Sequence, residues 1–276
     1  MSRIVHVNGE WLPEAEAKVS VFDRGFLMAD AVYEVTSVLD GRLVDFAGHL
    51  ARLRRSLAAL DLPSPAGDDA LLALHREAVA RNALDEGMVY CQVTRGAPAE
   101  RDFLWPGPEV PPGLVLFTQE KPGLALGAQA RAGIAVATVP DLRWGRRDIK
   151  TVQLLYPSWA KMIAKGQGAD DAWMVEEGLV TEGSSNNAWI VAGGRIVTRG
   201  LGEDILAGIT RATVLRCAAE AQLAVEERPF TVEEAQGAEE AFVTSATTFV
   251  LPVVRIDGRP VGSGAPGPVA RRLREL

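Results

Sequence analysis

The sequence predicts an α+β protein of two domains, and three observations carry that expectation. Strand-like runs and helix-like runs are interspersed without the regular strand–helix alternation of a doubly wound parallel sheet. The chain of 276 residues suits one large domain or two modest ones. Residues 121–130 are rich in Gly and Ala, carry a proline, and read as a linker between two mixed halves. On this reading 1–120 is a small N-terminal domain and 131–276 a larger C-terminal one, with any ligand in the cleft between them.

The elements follow from local pattern. Residues 3–13 read as two strands about an Asn8-Gly9 turn, and 31–46 as two β-rich runs flanking Asp40-Gly41, a strong hairpin signal. The period then changes: Leu50, Leu53, Leu57 and Leu60 follow helical spacing, and a second helix is expected over 68–84. Strands are expected at 87–96 and 113–121. The second half opens with a strand at 133–140 and continues with a helix near 153–168. Strand-and-turn segments follow at 170–183 and 187–200, then a helix at 208–223, mostly strand over 239–262, and a closing helix at 266–276.

Composition narrows the function. A net charge of -7 opposes a general nucleic-acid or anionic-membrane surface. The basic clusters at 52–56 and 270–276 lie in expected amphipathic helices, which leaves an Arg-rich nucleic-acid binder a weak alternative. Cys91 and Cys217 are the only cysteines and form no paired pattern, against a disulfide framework or a cysteine-rich metal site. The N-terminus has no apolar signal core, and no run approaches the roughly 18 residues of a membrane span. A cytoplasmic, reducing location is expected, with no membrane, nucleic-acid or metal partner.

Only five of the 29 basic residues are lysines, which shortens the search for any chemistry that needs an amine. Lys161 and Lys165 lie four apart on a helix, Lys121 precedes a Pro-Gly turn, and Lys18 sits in a polar run. Lys150 alone stands where a charged stretch enters an apolar one, and an ammonium is costly to bury. Two readings stand: an ion pair with Asp148 or Glu176, or an amine whose proton affinity is lowered by desolvation and by Arg146 and Arg147. If it holds an aldehyde cofactor such as pyridoxal phosphate, a phosphate cup and an acid facing the ring nitrogen should exist. Gly208, Ile209 and Thr210 open a helix whose first amides suit an anion, although simple capping explains them equally. Glu182 follows a strand and suits the acid, or is a turn residue. The hydroxyl-rich stretch Thr244 to Thr248 reaches a phosphate or faces solvent.

Taken in order, DIKTVQLL at 148–155, VTEGSSNN at 180–187, ILAGITR at 205–211 and FVTSATTFVLPV at 242–253 resemble the class IV, or fold-type IV, pyridoxal-phosphate aminotransferases. VYEV at 32–35, His49-x-x-Arg52 and YCQVTRG at 90–96 agree, so the resemblance spans nearly the whole chain. It is closest to the D-amino-acid aminotransferases. The resemblance implies that Lys150 is the Schiff-base lysine and moves the proton between the substrate α-carbon and the cofactor. It implies that Glu182 faces the ring nitrogen, that Arg52, Gly208, Ile209 and Thr210 hold the phosphate, and that Leu206 packs on the ring beside Ser184, Ser185 and Asn186. Tyr33 and Val35 fall on the substrate side, and His49 is expected to be structural. The implied reaction transfers an amino group between a D-amino acid such as D-alanine and 2-oxoglutarate or pyruvate, in a homodimer with the site at the subunit interface.

Three departures qualify this. D-amino-acid aminotransferases of the best-known type trap the substrate carboxylate with an Arg-x-His pair from the partner subunit; here the stretch keeps Arg101 but has Phe103 for the histidine. One arginine still binds a carboxylate bidentately, yet the pocket becomes more apolar and admits (R)-amines. Ala246 stands where threonine is usual, so Thr247 is the candidate to supply the phosphate hydroxyl. Ala29-Asp30-Ala31 replaces a common Gly-Asp-Gly. Branched-chain aminotransferase, aminodeoxychorismate lyase and (R)-amine transaminase are the alternatives within the family, and a non-catalytic binding module the alternative outside it.

Overall fold

The computed structural model describes residues 2–276, which form two compact units. The first runs to Leu124 and also takes Ile149–Gln153; the second comprises Ala125–Asp148 and Leu154–Leu276. The first unit ends at Leu124, and a short helix over Ala128–Ala132 follows in the second. Lys150, however, packs with the first unit, not with the C-terminal one as the sequence suggests. The cause is backbone pairing: Tyr33 N donates to Lys150 O at 3.0 Å, Val152 N donates to Ala31 O at 3.2 Å, and Thr151 bridges Val32.

The first unit contains β1 (Ile4–Val7), β2 (Glu10–Pro13), α1 (Arg24–Met28), β3 (Ala31–Leu39), β4 (Arg42–Leu43), α2 (Phe46–Ala59), α3 (Asp68–Arg81), β5 (Gly87–Thr94) and β6 (Gly113–Glu120). Its six strands form one antiparallel sheet, ordered β2-β1-β6-β5-β3-β4. Both expected turns put two residues in the left-handed region, Asn8 and Gly9 at φ 50° and 99°, Asp40 and Gly41 at 50° and 68°. Asn, Asp and Gly reach that region at least cost, which fixes both hairpin registers. Ala29, ending α1, also sits there at φ 55°, a conformation costing a side chain about 1–2 kcal/mol where glycine pays little. Helix α2 packs on β3 and α3 on β6, burying Leu53, Leu57 and Leu71. Cys91 in β5 is fully buried, and burial pushes its thiol up to about 12, so it is inert.

The second unit contains α4 (Ala128–Ala132), β7 (Ile134–Pro140), α5 (Leu155–Gly166), β8 (Asp171–Glu176), β9 (Leu179–Gly183), β10 (Asn187–Ala192), β11 (Arg195–Thr198), α6 (Ile209–Glu220), β12 (Val225–Glu227), α7 (Val232–Gln236), β13 (Glu240–Ser245), β14 (Phe249–Ile256), β15 (Arg259–Pro260) and α8 (Pro268–Glu275). Its sheet runs β12-β11-β10-β13-β14-β7-β8-β9, with β15 on β14. It is mixed: β14, β7 and β8 are parallel, and β7-α5-β8 is a crossover in which Ala160 and Ala164 pack on Ala137, Val139 and Ala172. On α6 and α8, Val214, Ala218, Ala270 and Leu273 cover Trp189, Val191 and Phe242. The short α1, α4, α7 and β12 are elements the sequence pattern did not announce, being below one periodic repeat.

Glu240 ties the last helix down. Its buried carboxylate accepts from Val269 N and Ala270 N, both at 2.9 Å. A Cβ on Gly267 would lie 2.0 Å from the Glu240 Cδ, so only glycine lets the carboxylate reach those amides. Losing such a cap costs about 1–2 kcal/mol. Glu240→Ala should therefore lower the urea midpoint at unchanged m-value; a midpoint equal to wild type means the cap is idle.

Candidate active site

Lys150 lies in an irregular segment between β7 and α5. Its backbone is held from two elements: its O accepts from Tyr33 N, and its N donates to Ser56 Oγ of α2 at 3.2 Å. The amine is placed differently. Nζ lies 4.1 Å from the centre of the Tyr33 ring, and no carboxylate of its own unit pairs with it among the described residues. The carboxylates that could have neutralised it are engaged elsewhere: Arg146 donates to both oxygens of Asp148 at 3.0 Å, and Arg147 to both of Glu176 at 2.7 and 2.9 Å. Both arginines are thus ion-paired within their own unit. Tyr33 itself stacks on Tyr90, at 5.4 Å between ring centres. Burial pushes the Tyr90 hydroxyl up, so this wall stays neutral.

Strand alternation sorts the neighbours of Tyr33. Tyr33 and Val35 share one face of β3, while Glu34 points to the other, toward α2. There Arg52 grips Glu34 with Nε to Oε1 and Nη2 to Oε2, both at 2.7 Å, and His49 Nδ1 lies 2.8 Å from Oε2. All three are buried. Burial raises the Glu34 carboxyl, but Arg52 and His49 outweigh it and hold it down at about 2. Arg52, read from the sequence as a phosphate ligand, thus has its fork set by Glu34, to which the sequence assigned no role.

Glu182 lies near the end of its strand β9 and is nearly fully buried. Its Oε1 accepts a short hydrogen bond from Arg143 Nη1, and its Oε2 accepts from Asn187 Nδ2 and Leu206 N, each at 3.1 Å. Arg143 also holds Asp141, with Nε to Oδ1 at 2.9 Å and Nη2 to Oδ2 at 2.7 Å, and Asp141 accepts from Thr181 Oγ1 at 2.7 Å. Burial pushes the Glu182 carboxyl up, and the charge and hydrogen bond of Arg143 pull against that without cancelling it. The two carboxylates together hold the Arg143 guanidinium well above its usual range, so its charge is permanent. Asp141, Arg143 and Asn187 were missed in the sequence. The available signal was an Asp-x-Arg pair directly after an apolar strand.

Asn187 links Glu182 to the start of α6. A Cβ at Gly208 would meet Asn187 Oδ1 at 2.1 Å, and Asn187 Nδ2 also donates to Leu206 O at 2.9 Å. Gly208 caps α6 with no side-chain hydrogen bond, and the first turn has no acid. The hydroxyls of Thr210 and of Thr247, in the turn after β13, have no partner among the described residues, whereas Ser245 and Thr248 bond each other at 2.8 Å. Ala246 shares that turn. Asn186 turns its amide inward, Nδ2 donating to Asp171 Oδ2 at 2.8 Å; Ser184 also bonds Asp171, while Ser185 is exposed. On its loop in the first unit, exposed Arg101 stacks on Phe103, its guanidinium 5.0 Å from the ring centre.

Taken unit by unit, these groups have the chemistry that a cofactor with an aldehyde, a basic ring nitrogen and a phosphate calls for. The first unit offers an amine with no ionic partner among the described residues. The second offers a buried carboxylate held beside a fixed arginine, and an uncapped helix start flanked by a free threonine hydroxyl.

Comparison with known proteins agrees. Residues 31–256 match the family described as amino-transferase class IV. The D-alanine aminotransferase of Staphylococcus aureus (strain MSSA476) is 37% identical over 271 residues, 98% of this chain and 95% of that protein. That of Bacillus licheniformis is 36% identical over 268 residues, 97% and 93% of the two chains. Among solved structures, a T.th. branched-chain amino acid aminotransferase, determined with pyridoxamine 5'-phosphate, superposes with a TM-score of 0.89 at 30% identity, covering 100% of this chain and 92% of that one. The match over residues 31–256 and the 37% identity across 98% of the chain fit the chemistry that each unit carries: the chain belongs to the class IV aminotransferases, and its cofactor is pyridoxal 5'-phosphate.

Proposed function

We propose that this aminotransferase moves an amino group between a D-amino acid, such as D-alanine, and a 2-oxo acid, either 2-oxoglutarate or pyruvate. The observation that carries the reading is the 37% identity, across 98% of the chain, to a D-alanine aminotransferase. When bound, pyridoxal 5'-phosphate supplies an aldehyde that takes up the amino group and a ring that accepts the electron pair released at the substrate α-carbon. The chain supplies everything else. The Lys150 amine would hold the cofactor at its aldehyde carbon and, once the substrate amine had displaced it, would move the proton to and from the substrate α-carbon. Glu182 holds a negative charge against the ring nitrogen. The amides of Ile209 and Thr210, the Thr210 and Thr247 hydroxyls and the Arg52 guanidinium hold the phosphate, with Gly208 and Ala246 giving backbone access. Leu206 packs on the ring beside Ser185 and Asn186. Tyr33 and Arg101 bind the substrate carboxylate, with Val35 and Phe103 as apolar walls. The working unit is a homodimer in the cytoplasm, where two unpaired thiols, Cys91 and Cys217, are compatible with a reducing environment.

A branched-chain aminotransferase is the second reading, favoured by the likeness to the T.th. enzyme. Half-reactions with D-alanine and L-leucine, followed by absorbance, separate the two. D-alanine should convert the cofactor and L-leucine should not; the reverse overturns the proposal. The carboxylate contact is tested by Arg101→Ala. A charge-assisted hydrogen bond contributes roughly 1.5–3 kcal/mol, so kcat/KM for D-alanine should fall about tenfold to a hundredfold. For (R)-1-phenylethylamine, which has no carboxylate, it should hardly change. An unaltered ratio of the two removes Arg101 from the substrate site.

A further inference from the structure

The loop that carries Arg101 is built inside out. Phe103 and Leu104 are each 77% exposed and Trp105 is 56% exposed, while the backbone carbonyls turn inward. They converge on one buried guanidinium, that of Arg24 in α1. Its Nη1 donates to Asp102 O at 2.5 Å and to Leu104 O at 3.1 Å, and its Nη2 lies 3.5 Å from Phe103 O. Three successive carbonyls are thus gathered by one side chain. The fork is itself oriented by Asp30, whose Oδ2 accepts from Arg24 Nε at 2.8 Å. The same oxygen accepts from Arg95 Nε at 2.8 Å, and the Arg95 guanidinium lies 4.0 Å from the centre of the Trp105 ring. Arg95 is anchored in turn on Leu60 O and Asp61 O, at 2.7 and 3.0 Å. One carboxylate therefore aligns two buried guanidinium groups, and each grips the loop at a different point, one by its carbonyls and one by its aromatic ring. A guanidinium keeps its charge at any working pH and offers several donors in one plane, which an ammonium does not.

We infer that Arg24, aligned by the Asp30 carboxylate it shares with Arg95, is the positioning residue that sets how Arg101 meets the substrate carboxylate and where Phe103 stands as its apolar wall. This rests on the proposed role of Arg101 as carboxylate ligand. Arg24 touches no substrate; it fixes the backbone on either side of Phe103, immediately after Arg101. A carboxylate ligand on a loose loop must be ordered at each binding event, which weakens substrate binding rather than slowing the proton transfer at Lys150.

The test uses the cofactor-loaded enzyme. Arg24→Lys keeps the charge and loses the fork. It should raise KM for D-alanine by about tenfold with kcat within about twofold, since misplacement of a binding group is felt at the site it serves. Hydrogen exchange at the Leu104 amide, which donates to Asp102 Oδ1 at 3.0 Å, should accelerate in the same variant. Placed in an Arg101→Ala background, Arg24→Lys should add no further rise in KM. Trp105→Ala, a change at an exposed ring that the fold tolerates, should raise KM in the same direction by a smaller factor. The inference is overturned if Arg101→Ala weakens D-alanine binding while Arg24→Lys and Trp105→Ala leave KM alone. It is equally overturned if Arg24→Lys raises KM as much without Arg101 as with it. If Arg101→Ala itself leaves D-alanine binding unchanged, the carboxylate-ligand reading has failed first and takes the inference with it, and the exchange rate at Leu104 then reports only on the clamp.

Discussion

Lys150→Ala should abolish transamination, by at least about 10⁴-fold, because one amine is asked both to hold the cofactor covalently and to move the proton. The fold should survive the change. What anchors residue 150 is its backbone, with O accepting from Tyr33 N and N donating to Ser56 Oγ, and alanine keeps both bonds. The side chain contributes its contact with the Tyr33 ring. Far-ultraviolet circular dichroism and Tm should therefore stay close to wild type while the visible absorbance of lysine-linked cofactor disappears. No other amine is set to replace it: Lys161 and Lys165 are exposed on α5, Lys18 sits in a polar run, and Lys121 stands at a turn after β6. Lys150→Arg keeps a cation near Tyr33 and should be equally inactive, since a guanidinium is a poor nucleophile and gives up no proton at neutral pH. A variant that still forms a link reducible by borohydride would place the attachment at another lysine.

What singles Lys150 out as the candidate amine in the sequence is scarcity and context: five lysines, four of them in polar or turn settings. Its surroundings were not legible, because the segment is held by β3, more than a hundred residues earlier in the chain, and no local period records such a pairing. The same contrast runs through α2. Leucine spacing announced the helix, and Leu53 and Leu57 are buried on it. The buried face, however, also takes His49, Arg52 and Ser56, which an apolar-stripe argument sends to solvent. His49 and Arg52 go inward because Glu34 waits on β3, and Ser56 because its Oγ meets Lys150 N, a complementarity visible only once the segments are packed. Asn8-Gly9 and Asp40-Gly41 could be read directly, since their left-handed backbone is a property of those residues alone. Asp141 and Arg143 look like ordinary loop charges until Glu182, some forty residues on, closes the network around them.

That network carries the second large effect. Glu182→Gln keeps the shape and an oxygen to accept from Asn187 Nδ2 and Leu206 N, but removes the charge and turns an amide NH2 toward Arg143 in place of the oxygen that accepted from it. Cofactor should stay bound through Lys150 and the start of α6, while kcat falls by about 10²–10³-fold, the scale of losing one preorganised electrostatic contact. Near-normal turnover would contradict the role of Glu182. Arg143→Met asks why the carboxylate is charged at all. Burial already pushes the Glu182 carboxyl up from 4.5, and Arg143 is the cation that opposes it. Without that cation the carboxyl should climb further and hold its proton near neutrality. The rate of Arg143→Met should then be low at neutral pH and recover as pH rises and Glu182 ionises, a recovery that Glu182→Gln cannot show. Stability follows the same sign. A carboxyl whose folded pKa lies above its unfolded value stabilises the fold at low pH, and that contribution is lost as pH rises through the folded pKa. Relative to wild type, cofactor-free Arg143→Met should lose Tm progressively as pH is raised above 4.5, on top of the loss of the Arg143–Asp141 ion pair. A rate that stays flat with pH in Arg143→Met would mean that something other than Arg143 keeps Glu182 ionised.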